Sequence, residues 1–240
     1  MMTAKEQSKP QPDEDFRMSQ DDWLEAWNNG ELLWHFDRVE PSLITHLDKL
    51  TSGSHYTTIL VPLCGKSTDM HWLAEKGFFV VGIELSETAA QQFFVDHKLD
   101  YNMYITDRGI IYESYSKCFH IIVTDFFMFD KEVFGTFDCI LDVNSFGTVN
   151  EEDRQRYANH CHSLLKSNGR VLLSTLTMDD NDIKSITTKK LKKICGTKFD
   201  VESLESLDVT EEMLQNFDKY RWKWKPCKVE KRIHLLTRTQ

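Results

Sequence analysis

Glu84 is the residue around which a reaction site can be built. It ends the apolar run FVVGIE, about 20 residues beyond the loop PLCGKS, where a βαβ nucleotide site places its ribose-binding carboxylate. The loop contains neither GxGxxG nor GxxxxGK[ST], so it offers no glycine-rich cradle for a pyrophosphate or triphosphate. Its one glycine, Gly65, allows close approach of a ligand without phosphates. Adenosine with a sulfonium side chain, S-adenosyl-L-methionine, suits that description better than NAD or ATP. The same spacing also fits a plain βαβ unit in which Glu84 only caps the next helix. Two more carboxylates end apolar runs, Asp125 after FHIIVT and Asp142 after FDCIL. Asp125 suits a ligand contact or a turn cap. Three roles are open to Asp142: orienting a substrate, assisting deprotonation, or holding the following loop by its backbone amides. His160-Cys161-His162 does not read as a metal site, because adjacent helical residues diverge by about 100° and do not converge on one ion.

The elements that position these groups follow from periodicity. Thr57–Val61 is β-branched and short, a buried strand stopped by Pro62 and Gly65. Ser67 caps a helix with Met70, Leu73 and Ala74 on one face, Gly77 ends it, and Phe78–Ile83 forms a second strand. Upstream, Ser19 caps a helix with Asp21 and Asp22 in its first turn, Trp23 and Trp27 share a face, and Gly30 closes it before Trp34. A helix over about Pro41–Leu50 leads into the first strand. Ser86 caps a helix to about His97 with Ala89, Ala90, Phe93 and Phe94 inward. Tyr101–Thr124 reads as a loop and a hairpin turning near Ser116. Phe137–Leu141 and Gly169–Leu176 are the fourth and fifth core strands. Between them Asn150 caps a helix over Glu151–Leu165 whose Arg154, Arg156 and His160 are expected on its solvated face. Tyr220, Trp222 and Trp224 alternate as on an edge strand.

The stretch VPLCGKSTDMHWLAEKGFFVVGIELSE resembles the core motif of the thiopurine S-methyltransferase family, in which PLCGK is followed by a tryptophan-containing helix and VxGxExS. The similarity continues through WLEAWNNGELLWH, QQFF, FDCILD, DRQRYANHCHSLLKSNGRVLLSTL and the terminal RIHLLT. It covers most of residues 19–176 and the last strand. The resemblance implies an α/β Rossmann-like class I methyltransferase with a mostly parallel seven-stranded sheet and helices on both faces. It implies one domain over residues 19–240, with residues 19–50 as a helical cover over the active site. It further implies S-adenosyl-L-methionine as cofactor and a small aromatic or heterocyclic thiol as methyl acceptor. Donor binding then falls to Trp23, Trp27, Trp34, Leu63, Gly65, Glu84, Leu85, Asp125, Phe126 and Val143, acceptor contact to Trp34, and the catalytic position to Asp142. An aromatic wall of Trp27 and Trp34 suits a sulfonium, because a ring face attracts a cation.

Two departures from the family pattern bear on the acceptor. Residues 177–186 contain neither proline nor glycine, where the family carries a loop rich in both. The family's DRG stands here as Asp142-Val143-Asn144, so an arginine suited to an anionic acceptor is replaced by valine. A changed acceptor (selenol, sulfide or halide) or a donor-binding protein without transfer is the alternative these departures raise.

Composition narrows the partners. The net charge of −9 gives no basic footprint for nucleic acid. No apolar run approaches the roughly 20 residues of a membrane span. The six cysteines are scattered without a CxxC pair, as in a reduced cytoplasmic protein. Residues 1–18 are polar with two prolines and are expected to be a disordered tail. A cytoplasmic monomer with a small-molecule substrate is the expectation.

Overall fold

The computed structural model describes residues 18–30, 32, 35–178, 185–219 and 227–239. Residues 1–17 of the expected tail, Trp34, and Tyr220, Trp222 and Trp224 lie outside them. The chain begins with α1 (Gln20–Asn29), closed by a complete capping box at Ser19 and by Gly30 in the left-handed conformation. Next come α2 (Pro41–Thr51), β1 (Thr58–Pro62), α3 (Thr68–Glu75), β2 (Phe79–Glu84) and α4 (Glu87–Asp96). Ser67 and Ser86 cap α3 and α4 through their side chains. An antiparallel run follows, β3 (Tyr101–Thr106), β4 (Gly109–Ser114) and β5 (Phe119–Val123). Then come α5 (Lys131–Phe134), β6 (Phe137–Val143), α6 (Ser145–Thr148), α7 (Arg154–Leu164) and β7 (Leu165–Met178). The chain ends with α8 (Thr188–Cys195), β8 (Phe199–Asp208), α9 (Thr210–Lys219) and β9 (Val229–Arg238).

These strands form one nine-stranded sheet in the order β3-β4-β5-β2-β1-β6-β7-β9-β8. The central strands β5, β2, β1, β6 and β7 are parallel. The four outer pairings, β3–β4, β4–β5, β7–β9 and β8–β9, are antiparallel. The sheet is therefore mixed and wider than the expected mostly parallel seven strands. Both unforeseen strands are edges. β3 is largely solvent-exposed and so is much of β8, so neither shows the apolar alternation that marks a half-buried strand.

Two apolar clusters cover the two faces of the sheet. Leu60, Val81, Ile140 and Leu173 face α7 and α8, while Ile59, Val80 and Leu172 face α2, α3 and α4. The β1 register places Pro62 beside Ile83, so the β1–α3 loop opens next to the carboxyl end of β2. Strand order reverses between β1 and β6, and that crevice is where a doubly wound sheet binds its ligand. The segment after β6 also differs from expectation. Residues 151–153 form a separate 3-10 turn, the Asn150 side chain makes no cap bond, and α7 starts only at Arg154. The turn directs Arg154 inward, where Nε donates to the Val149 carbonyl at 3.1 Å and a terminal nitrogen to Gly147 at 3.3 Å. Arg154 belongs to the loop's scaffold and not to a solvated face.

Candidate active site

The β1–α3 loop is shaped by backbone conformations that side chains rarely adopt. Leu63 has φ +47° and Gly65 φ +51°, and the loop closes through Cys64 N–H to Ile83 O at 2.9 Å and Ser67 N–H to Cys64 O at 3.1 Å. A left-handed leucine at a strand end is uncommon and concentrates at functional turns. Glycine at position 65 is required twice, by its φ and by space. A Cβ there would lie 2.9 Å from the Trp27 ring.

Glu84 faces this loop from the end of β2. One carboxylate oxygen accepts the Gly65 N–H at 2.8 Å and the other accepts the Ser86 N–H at 2.8 Å. Burial pushes its pKa up, while the amide hydrogen bonds oppose the shift. A carboxylate has about four lone-pair directions, so the braced Glu84 keeps acceptor capacity beyond its amide partners, which suits the hydroxyls of a ribose. Asp125 caps the turn after β5 by accepting the Phe127 N–H at 2.9 Å and takes a second bond from the Gln20 amide at 2.8 Å. That second bond ties the start of α1 across the carboxyl edge of the sheet. Phe126 is buried beside it, its ring 5.1 Å from that of Tyr157.

Asp142 is fully enclosed. Its oxygens accept the Phe146 N–H at 3.0 Å and the Tyr157 hydroxyl at 2.8 Å, and burial raises its pKa to about 6. Next to it, Asn144 takes φ +64° and its N–H reaches Ser174 O, while the Ser145 hydroxyl donates to Pro62 O at 2.8 Å. This network pins the β6–α6 turn to β1 and β7.

The walls enclose a cavity of about 350 Å³. Trp23, Trp27, Leu63, Gly65, Glu84, Leu85, Asp125, Phe126 and Val143 all line it, while Asp142 does not. Trp34 lies outside the described residues. The lining also holds residues that carried no signal in the sequence: Phe36, Arg38, Glu40, Leu176, Val209, Glu212, Met213 and Lys231. Phe36, Leu176 and Val209 pack with Met213 and Val229 into a small apolar cluster apart from the main core. They come from four separate parts of the chain, so only the folded topology assembles them. Gln20 was equally hidden, as a polar residue in the first turn of an amphipathic helix.

The chain is similar to solved methyltransferases of the same architecture. A Burkholderia thailandensis 1,6-didemethyltoxoflavin N1-methyltransferase, solved with S-adenosylhomocysteine, aligns with a TM-score of 0.59 over 92% of this chain and 87% of that one, at 16% identity. An N-methyltransferase of Bradyrhizobium japonicum aligns with a TM-score of 0.60 over 90% and 98%, at 10% identity. Likeness at this level defines the fold as Rossmann-like and of the class I methyltransferase type. The family is closer. The thiopurine S-methyltransferase family matches residues 18–238. A probable thiopurine S-methyltransferase of Danio rerio is 31% identical over 227 residues, covering 92% of this chain and 95% of the relative. The Mus musculus enzyme is 29% identical over 219 residues, covering 85% and 90%. This chain belongs to the thiopurine S-methyltransferase family.

Proposed function

We propose that this protein is an S-adenosyl-L-methionine-dependent S-methyltransferase acting on small thiols, aromatic or heterocyclic ones first. The observation that supports it most is Glu84, buried, braced by two backbone amides and facing a cavity that continues to an apolar wall of Phe36, Leu176, Val209 and Met213. S-Adenosyl-L-methionine supplies a methyl group on a sulfonium that departs as a neutral thioether. Glu84 holds the ribose, Asp125 and Phe126 border the adenine, and the loop of Leu63 and Gly65 with Leu85 shapes the floor. Trp23 and Trp27 wall the sulfonium from α1, and Val143 sits where donor and acceptor meet. Asp142 is assigned as a positioning residue that fixes Val143 and Asn144 through its bonds to Phe146 and Tyr157, not as a base.

No general base is asked of the cavity. An aromatic or heteroaromatic thiol is substantially ionised at neutral pH, so alignment and a dry pocket supply most of the acceleration, roughly 7–11 kcal/mol from proximity and orientation. An alkyl thiol, with a pKa about that of free cysteine near 8.5, is expected to react more slowly. All six cysteines are free thiols, as a cytoplasmic protein would keep them.

Label transfer from methyl-tritiated S-adenosyl-L-methionine to thiophenol, 6-mercaptopurine, an alkyl thiol, sulfide and selenide tests the reading. Methylation of the aromatic thiols is the expected result. Donor binding with no transfer to any acceptor would favour the second reading, a protein that keeps the donor site without transfer, which Val143 in place of the family arginine motivates. Among the described residues no helix is long and apolar enough to cross a membrane.

A further inference from the structure

The lining of the cavity contains a buried ion pair. Lys231 on β9 reaches both oxygens of Glu40, at 2.9 and 3.2 Å, and the two side chains are only 10% and 11% exposed. Glu40 is fixed from behind as the N-cap of α2. Its carboxylate accepts the Ser42 hydroxyl at 3.0 Å and its own N–H donates to Asp69 at 2.7 Å. Asp69 in turn accepts the Ser67 hydroxyl at 3.0 Å, which links the pair to the β1–α3 loop. Position decides which ligand the pair meets. β9 stands three strands from β1, on the side away from β2 and Glu84, a lateral offset of about 14 Å at normal strand spacing. Lys231 is opposite Leu176 in the register, next to the apolar wall of Phe36, Leu176, Val209 and Met213, where the proposed reaction would seat its acceptor.

The charge of the described lining points the same way. Among the described lining residues the lysines and arginines are Arg38, Lys66 and Lys231, against six carboxylates. Each of the three is matched: Arg38 by Glu212, Lys66 by Asp96 at 2.8 Å, and Lys231 by Glu40. Position 143, where a family arginine would stand, is valine. An entering carboxylate therefore finds no unpaired cation among these residues. To gain Lys231 it must displace Glu40 and leave that carboxylate buried without its counter-charge, the costliest arrangement for a buried pair.

We infer that the Lys231–Glu40 pair is a charge filter for the methyl acceptor, admitting neutral and cationic aryl thiols and rejecting carboxylated ones. The inference rests on the methyltransferase reading, yet its test does not require turnover. Thioanisole, 4-(methylthio)benzylamine and 4-(methylthio)benzoate are titrated calorimetrically into the full chain saturated with S-adenosylhomocysteine. The wild type is expected to bind the benzoate at least about tenfold more weakly than thioanisole. Glu40→Gln unmasks Lys231, and the benzoate should then overtake thioanisole. Lys231→Met leaves Glu40 unpaired, and the benzylamine should gain while the benzoate stays weak. Opposite movements in two variants of one pair are not produced by general damage. Should Glu40→Gln lose S-adenosylhomocysteine binding through misfolding, Lys231→Met decides alone. A wild-type benzoate affinity within about threefold of thioanisole, an order unmoved by the variants, or binding of none of the three ligands overturns the filter. Thiophenol methylation without charge discrimination sinks the filter and spares the enzyme reading, and discrimination without methylation does the reverse.

Discussion

At the scale of single residues, Glu84 and Asp142 show how similar carboxylates at neighbouring strand ends acquire different work. Glu84 is braced by amides yet opens on the cavity, whereas both oxygens of Asp142 are engaged by the turn it supports. Glu84→Gln is expected to weaken S-adenosylhomocysteine by about 10- to 100-fold, the loss of charge-assisted hydrogen bonds worth about 1.5–3 kcal/mol. Isothermal titration reads it directly, and an unchanged affinity removes the ribose role. Asp142 has a consequence in pH. Its pKa is raised to about 6, as is that of Asp69, both by burial. Between about pH 4 and 6 the folded chain keeps protons on these carboxyls that the unfolded chain has released. Their stabilising contribution is full below pH 4 and declines as pH rises to 6, by up to about 3 kcal/mol for each. Asp142→Asn should flatten that decline by roughly half, measured by urea denaturation at several pH values. An identical slope in the variant would mean that Asp142 titrates normally.

At the scale of elements, α1 is held over the site by contacts along its length. Ser19 caps it, Gln20 bonds Asp125, the Thr88 hydroxyl donates to Asn28 at 2.8 Å, and Trp27 rests on Gly65. Ser19→Ala should cost about 1 kcal/mol of local helix stability. Gln20→Ala should speed hydrogen exchange across residues 20–29 in the free protein and less so with S-adenosylhomocysteine bound. Exchange that is equally slow in both proteins would show that α1 is anchored elsewhere. This helix was legible from the sequence because its caps are local signals, Ser19 with Asp22 at one end and Gly30 at the other. The βαβ unit around Glu84 was legible for the same reason, since a buried strand, a capped helix and one acidic residue fall within 30 residues. β3 and β8 were not, because exposed edges lack the alternation that burial imposes. Arg154 was misplaced because the 3-10 turn at 151–153 shifts the face that α7 presents. The Lys231–Glu40 pair was hidden for a topological reason. Lys231 looks like any strand lysine until β9 pairs with β7 and brings it to Glu40, 191 residues away.

At the scale of the whole molecule, the proposed donor site is built on the parallel centre of the sheet, where β1 joins β2 and β6, while the apolar wall proposed for the acceptor draws on Phe36, Leu176 of β7, Val209 and Met213 of α9. Donor binding therefore draws on α1, the β1–α3 loop, β2 and the β5 end at once, and should stabilise the fold as a unit. At a ligand concentration 100 times Kd the linkage contributes about 2.7 kcal/mol. For a chain of this length each kcal/mol raises Tm by about 2–4 °C, so S-adenosylhomocysteine is expected to raise it by about 5–11 °C. The transition should stay single, because the main core runs across β1, β2, β6 and β7 without a break. Differential scanning calorimetry at increasing ligand concentration measures both quantities. Gly65→Ala supplies the control, since its Cβ meets Trp27 and its φ is strained, both within the donor loop. That variant should lose most of the ligand-induced shift while keeping one transition. A full shift in Gly65→Ala would separate the loop from donor binding, and a second transition in the wild type would mean that α9 and β9 unfold apart from the parallel centre of the sheet.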